Sequence, residues 1–153
     1  DILIRENKAN ADSADQLFED MLSYAEFCLA GIDIEKGNLP EAKTNRMIPV
    51  VIRKNYFFIF KECLNNIKKH AGCSRVILSW GIKENNLFLE IEDNGKGFDT
   101  SKNYIGNGLK NFNDRAEKIS GKFQIVSSPG NGTKTTLCAI LPDQVIAGSD
   151  EEH

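Results

Sequence analysis

Between Ser13 and Gly31, apolar residues recur at helical spacing, at Leu17, Met21, Tyr24 and Leu29. Ser13 stands where an N-cap belongs and Gly31 where a helix stops, so the pattern predicts one helix between them. "GIDIEKGNLPEAKTNR" reads as a loop with a short strand around Ile32 to Ile34. Pro49, suited to a first helical turn, opens a longer helix to about Ala71. Along it, Phe60, Cys63, Leu64, Ile67 and Ala71 form one apolar stripe at ~100° per residue. Glu62, Asn66 and Lys69 fall on the opposite side, with Asn55 beneath and His70 at the edge. Phe58 and Ile59 flank that polar stripe, which argues against a simply solvated face.

After this helix the chain alternates as strands do. "SRVILSWGI" and "NLFLEIED" are joined around Glu84-Asn85-Asn86, as in an antiparallel hairpin. Gly106 to Ser120 reads as a third helix, and "KFQIVSS" and "GTKTTLCAILP" as two last strands around the turn Pro129-Gly130-Asn131. Residues 1–12 carry no periodic signal, and the end of the chain, "AGSDEEH", is polar. The order helix, helix, two strands, helix, two strands predicts an α+β two-layer sandwich, its mixed, mostly antiparallel sheet carrying the helices on one face. A doubly wound sheet would need regular strand–helix alternation.

Composition narrows the function classes. The chain has 153 residues, 41% of them hydrophobic and 27% charged, enough for one core. A net charge of −3 supplies no basic field for nucleic acid or an anionic membrane. No apolar run approaches the ~18 residues of a bilayer span. Cys28, Cys63, Cys73 and Cys138 include no CxxC pair and no His at a zinc-ligand interval, which argues against a structural metal site and for a reducing setting.

Candidate chemistry begins where "NLFLEI" runs into "EDNGKGFD". A calcium loop starting at Asp93 fails, because Phe98 occupies the sixth position and Tyr104 the twelfth. A hairpin is weak, since no strand begins within five residues of Gly97. A P-loop is absent: Gly97 and Phe123 follow the two "GK" pairs where Ser or Thr is required. A nucleotide cradle of another design remains open, alongside an ordinary loop. The stacked carboxylate, amide and cation of Glu62, Asn66 and Lys69 match what a metal–triphosphate needs: an Asn offers Mg²⁺ a neutral oxygen, a Lys neutralises phosphate, and a Glu can orient or deprotonate an attacking group. In "YIGNGLKN", Gly106 and Gly108 lie where a loop enters a helix, a place suited to phosphate.

Taken in order, these pieces resemble the GHKL ATPase superfamily, over roughly Val50 to Pro142. "FKECLNNIKKH" resembles its N box, "EDNGKGFD" its first glycine box, "GNGLKN" its second, and "GNGTKTTLCAILP" its closing strands. The chain is most similar to sensor histidine kinases of the nitrate-sensor and desaturase-regulator type, with an Arg115-Ala116 pair in the third helix. The resemblance implies a Bergerat-type fold that binds ATP with Mg²⁺, and it implies these roles. Asn66 ligates Mg²⁺ between the phosphates, with Lys69 and His70 nearby. Asp93 accepts the adenine amino group, backed by Thr133, while Gly95 and Gly97 let the backbone pass close under the purine. Gly106, Gly108 and Leu109 form the lid hinge and phosphate grip. Glu62 holds the position that activates water in the hydrolytic branches, although in kinases the acceptor is a histidine.

Asn107 departs from the small or apolar residue common between the lid glycines, and the lid from Thr100 to Ile105 is short. A phospho-acceptor histidine followed by an acidic residue is missing, since Ala71 follows His70 and His153 is terminal. The expectation is therefore an excised catalytic domain from the cytoplasmic portion of a membrane-anchored sensor kinase, unable to autophosphorylate alone. Residues 1–31 would connect it to an upstream dimerisation domain, 32–143 would bind ATP, and 144–153 would be a polar tail. Its partners would be the phospho-acceptor histidine domain and a response regulator, with no nucleic acid and no direct membrane contact. The alternatives are a free-standing Ser/Thr kinase acting on a sigma factor, and a non-catalytic ATP-sensing module.

Overall fold

The strand alternation of "RVILSWGIK" and "NLFLEIED" builds the centre of a five-stranded sheet. The computed structural model describes residues 11–40, 46–101 and 107–143. The elements in order are β1 (Ala11–Ser13), α1 (Ala14–Cys28), β2 (Asp33–Lys36), β3 (Met47–Pro49), α2 (Val50–Asn66) with a π-helical turn (Ile67–Ala71), β4 (Arg75–Lys83), β5 (Asn86–Asp93), α3 (Asn107–Lys118), β6 (Gly121–Ser127) and β7 (Thr133–Ile140). The sheet order is β2-β4-β5-β7-β6, with β2 parallel to β4 and the other pairs antiparallel. This is the mixed, mostly antiparallel α+β sandwich that the element order implied. Glu84 and Asn85, both at positive φ, make the tight β4–β5 turn.

One sheet face is apolar and carries the helices. Val76, Leu78 and Trp80 of β4, Leu87, Leu89 and Ile91 of β5, and Leu137 and Ala139 of β7 are all buried. Phe18 of α1 stacks on Trp80 at 6.0 Å, and Phe60 of α2 meets the same ring edge-on at 6.1 Å. Phe112 of α3 packs against Phe123 of β6 at 4.7 Å, and Phe123 lies opposite Leu137 in the register. All three helices therefore cover the same face.

One expectation changes. Pro49 precedes the second helix as its cap, with ψ 147, instead of sitting inside the first turn. It also ends β3, which pairs antiparallel with β1, and three-residue strands are too short to announce themselves by alternation. Ser13 caps α1 by accepting the Gln16 N–H at 3.1 Å, and the helix buries Ala14, Leu17, Met21 and Ala25 in the common core. Residues 1–10 and the polar tail 144–153 lie outside the described residues.

Tyr56 fastens α2 to the sheet. It is fully buried, and its hydroxyl lies 3.0 Å from the Leu87 carbonyl and 3.3 Å from that of Leu137, one on each central strand. Burial pushes its phenol well above the usual value, so it stays a neutral donor. Tyr56→Phe keeps the ring but removes the proton both carbonyls share. Urea unfolding should show a loss of about 1–2 kcal/mol; an unchanged midpoint would deny the anchor.

Candidate functional site

The inner sheet face turns polar at one end. Asp93 lies opposite Val76 on one side and Thr133 on the other, and Thr133 lies opposite Ser127. Paired residues project to the same face, so a carboxylate and two hydroxyls close a row whose neighbour is Leu78, Ile91, Thr135 and Ile125. The end of α2, its π turn and the loop after β5 roof this corner, leaving a cavity of about 550 Å³. Its polar lining is Asn66, His70, Asp93, Lys96, Thr133 and Thr135. Its apolar lining is Cys63, Ile67, Ala71, Phe98, Phe112 and Ile125. A hollow of this size, apolar with a few converging polar groups, suits a small organic ligand.

Helical spacing explains which α2 residues reach it. Cys63, Asn66, Ile67, His70 and Ala71 recur at three- and four-residue steps and line the cavity together. Asn66 is thus on the cavity side, next to the apolar stripe and not opposite it. Glu62 and Lys69, ~100° away, are exposed and lie outside the lining. Asn55, expected beneath the polar stripe, is buried and structural. Its side chain donates to the Val51 carbonyl at 2.8 Å and accepts from Arg115 at 3.3 Å. The Arg115 guanidinium also covers the Phe58 ring at 3.4 Å, tying α3 to α2.

Asp93 is the buried acid of the site, 6% exposed. Burial raises its carboxyl above the ordinary value, while the backbone N–H groups of Gly95 and Thr133 act in the opposite direction. The Gly95 N–H donates to Asp93 Oδ1 at 2.8 Å. Next to it, Asn94 staples the end of β5 to the start of β4, accepting from the Ser74 and Arg75 N–H groups at 3.0 Å each.

The two glycines are required by backbone on either side of the loop. A Cβ on Gly95 would collide with the Ala71 carbonyl, which also accepts the Lys96 N–H at 2.9 Å. Gly97 has φ +64, and a Cβ there would run into the Ser128 carbonyl. The Gly130 N–H then donates to the Lys96 carbonyl at 2.6 Å, clamping the loop between the π turn and the β6–β7 turn. Gly97 lines the cavity and Gly95 does not.

Of the residues expected from sequence, the structure brings together Asn66, His70, Asp93, Gly97 and Thr133. Gly106 lies outside the described residues; Gly108 and Leu109 fall in the first turn of α3, whose side chains there are also outside them. Sequence reasoning did not single out Lys96, Phe98, Phe112, Ile125 or Thr135. For Ile125 and Thr135 the available signal was two-residue spacing from Ser127 and Thr133, which becomes meaningful only with the β6–β7 register.

The family described as histidine kinase-, DNA gyrase B- and HSP90-like ATPase matches residues 53–144, which hold Asn66, Asp93 and Thr133. The chain belongs to this family. It is 34% identical over 104 residues to the sensor protein VraS of Staphylococcus epidermidis, a match covering 67% of this chain and 30% of that protein. VraS of Staphylococcus aureus is 36% identical over 95 residues, covering 61% and 27%. The chain thus spans about a third or less of these relatives' length. The histidine kinase AdeS of Acinetobacter baumannii has the same fold, with TM-score 0.66 at 17% identity over 88% of this chain and 68% of that one. The histidine kinase domain of a blue-light activated kinase from Erythrobacter litoralis superposes with TM-score 0.65 at 16% identity, over 82% and 59%. The histidine kinase-like ATPase domain is an ATP-binding domain, and the cavity is its candidate site.

Asp93 should cost the empty domain stability. Because its native pKa is raised, its contribution is complete at pH below the unfolded value and is lost as pH rises through the native one. Asp93→Asn removes that loss. Thermal unfolding of the ligand-free variant at pH 7 should match or exceed the parent, converging with it in acid; a lower Tm at every pH would contradict this.

Proposed function

We propose that the chain is the ATP-binding catalytic domain of a two-component sensor histidine kinase, which transfers the γ-phosphoryl group of ATP to a histidine on a separate dimerisation domain. The observation that carries this reading is the pairing, across one apolar-walled cavity, of a buried carboxylate at one end with Asn66 and His70 on the helix above. Asp93 accepts the adenine amino group, Thr133 stands beside it, and Ile67 and Ile125 offer apolar surface to the ring. Asn66 and His70 face the phosphates, with Lys69 at the mouth. Gly106, Gly108 and Leu109 supply the hinge and helix-start amides that grip the phosphate tail.

Mg²⁺ suits this donor set. Among the described residues no group of three or more His, Cys, Asp or Glu could hold a metal ion. These residues offer no carboxylate cage, whereas a magnesium ion bound chiefly by phosphates and water needs only a neutral oxygen such as that of Asn66. When bound, Mg²⁺ neutralises charge on the phosphates. Catalysis by the chain itself is then positioning and electrostatics. Transfer breaks the bond from the γ-phosphorus to the β–γ bridging oxygen and forms a P–N bond to the acceptor imidazole, releasing ADP. Glu62, exposed beside the cavity, can accept the other imidazole N–H and orient the ring.

The relatives are sensor proteins, which favours this reading over the sigma-factor kinase or a non-catalytic sensor. We place α1 within the ATP-binding unit, with the acceptor domain and a response regulator as partners. Its working compartment is the cytoplasm, where ATP is abundant; no helix among the described residues is long and apolar enough to cross a membrane.

Calorimetry should detect Mg²⁺-dependent ATP binding, and its absence would sink the reading. Asp93→Asn should weaken binding about 10- to 100-fold with the fold intact. Asn66→Ala, at an exposed position, should leave stability within about 0.5 kcal/mol while reducing the Mg²⁺ dependence. Full Mg²⁺ dependence in that variant would remove Asn66 from the metal's surroundings.

A further inference from the structure

Ser127 closes the polar row without lining the cavity. Among the described residues its hydroxyl has three neighbours. The Phe98 N–H donates to it at 2.9 Å, the Gly132 carbonyl lies at 2.8 Å, and Thr133 Oγ1 lies at 2.8 Å. A serine hydroxyl has one proton to give and two lone pairs to offer. The Gly132 carbonyl can only accept, so it takes the proton. The contact with Thr133 must then run the other way, with Thr133 donating. The opposite polarity would leave two acceptors facing each other at 2.8 Å with no proton between them.

This fixes what Thr133 can show a ligand. Its single proton is committed to Ser127, and only lone-pair capacity is left for the cavity. Asp93, when ionised, is likewise an acceptor without a donor. We propose that Ser127 is a positioning residue for base selection: it holds Thr133 as an acceptor, so that Asp93 and Thr133 together admit a purine edge bearing an amino group and oppose one bearing a carbonyl. The inference rests on the ATP reading and deepens it. The same hydroxyl also holds Phe98, so a purely structural role would act on every nucleotide alike.

Without the Ser127 oxygen, the Thr133 hydroxyl is free to rotate and donate. It can then serve a carbonyl as readily as an amino group. Inosine triphosphate is the appropriate probe, since it carries a carbonyl where ATP carries the amino group.

The test is calorimetry of the whole chain with ATP and with inosine triphosphate, each with Mg²⁺. Ser127→Ala should reduce the ratio of ATP to inosine triphosphate affinity about tenfold. Ser127→Thr, which keeps the hydroxyl, should restore it. Thr133→Ala should reduce the ratio comparably, and the double variant should fall no further, because Ser127 acts through Thr133. If Ser127→Ala does not fold, Ser127→Cys retains the volume while weakening the hydrogen bonds and is expected to lower the ratio in the same direction. Equal weakening of both nucleotides, or full additivity in the double variant, would overturn the proposal. Failure of the unmodified chain to bind ATP would instead overturn the nucleotide reading beneath it.

Discussion

The pairing of Asp93 with Thr133 across β5 and β7 is the constraint on which the site depends. It fixes a carboxylate at the end of an apolar sheet face and sets hydroxyls beside it. A one-residue slip would send Asp93 to the opposite face and bring Glu92 inward. The apolar rows Leu89–Leu137 and Leu87–Ala139 prevent that slip, because each would have to leave the core together with the acid. Ordinary hydrophobic burial thus holds a costly buried charge in place.

Helix α2 and the glycine loop complete the enclosure. Tyr56 fixes the helix over the central strands, and the π turn brings the Ala71 carbonyl to the loop, where Gly95 and the Lys96 N–H meet it. On the other side the β6–β7 turn takes hold through Gly130 and Ser127. The loop therefore bridges two walls of the cavity, and its glycines answer to neighbouring carbonyls before any ligand arrives. Lys96 and Phe98 are set against the cavity by this double attachment.

Local pattern made most of the architecture legible. Helical stripes in α1 and α2, alternation in β4 and β5, and the Pro-Gly-Asn turn before β7 each announced an element. The β1–β3 pair escaped because its partners are three residues long and far apart in sequence. At the site, Asp93, Asn66 and Thr133 were legible because motifs place them. The side of α2 that Asn66 occupies was not, since the cavity and the core share one helix flank and sequence spacing alone splits apolar from polar. The proper neighbours of Gly95 and Gly97 were hidden as well, because they come from Ala71 and Ser128, whose proximity only the tertiary fold creates.

A second hollow, lined by Phe18, Arg46, Trp80 and Phe88 among others, offers a rival location, but no Asp or Glu among the described residues lines it. A carboxylate acceptor at the buried end is what separates the two. The most direct test is therefore a crystal structure with an ATP analogue and Mg²⁺. The adenine amino nitrogen should lie about 3 Å from an Asp93 carboxylate oxygen, with the phosphates running toward Asn66. A base seated in the other hollow, or one in the same cavity with its amino group turned away from Asp93, would contradict the account.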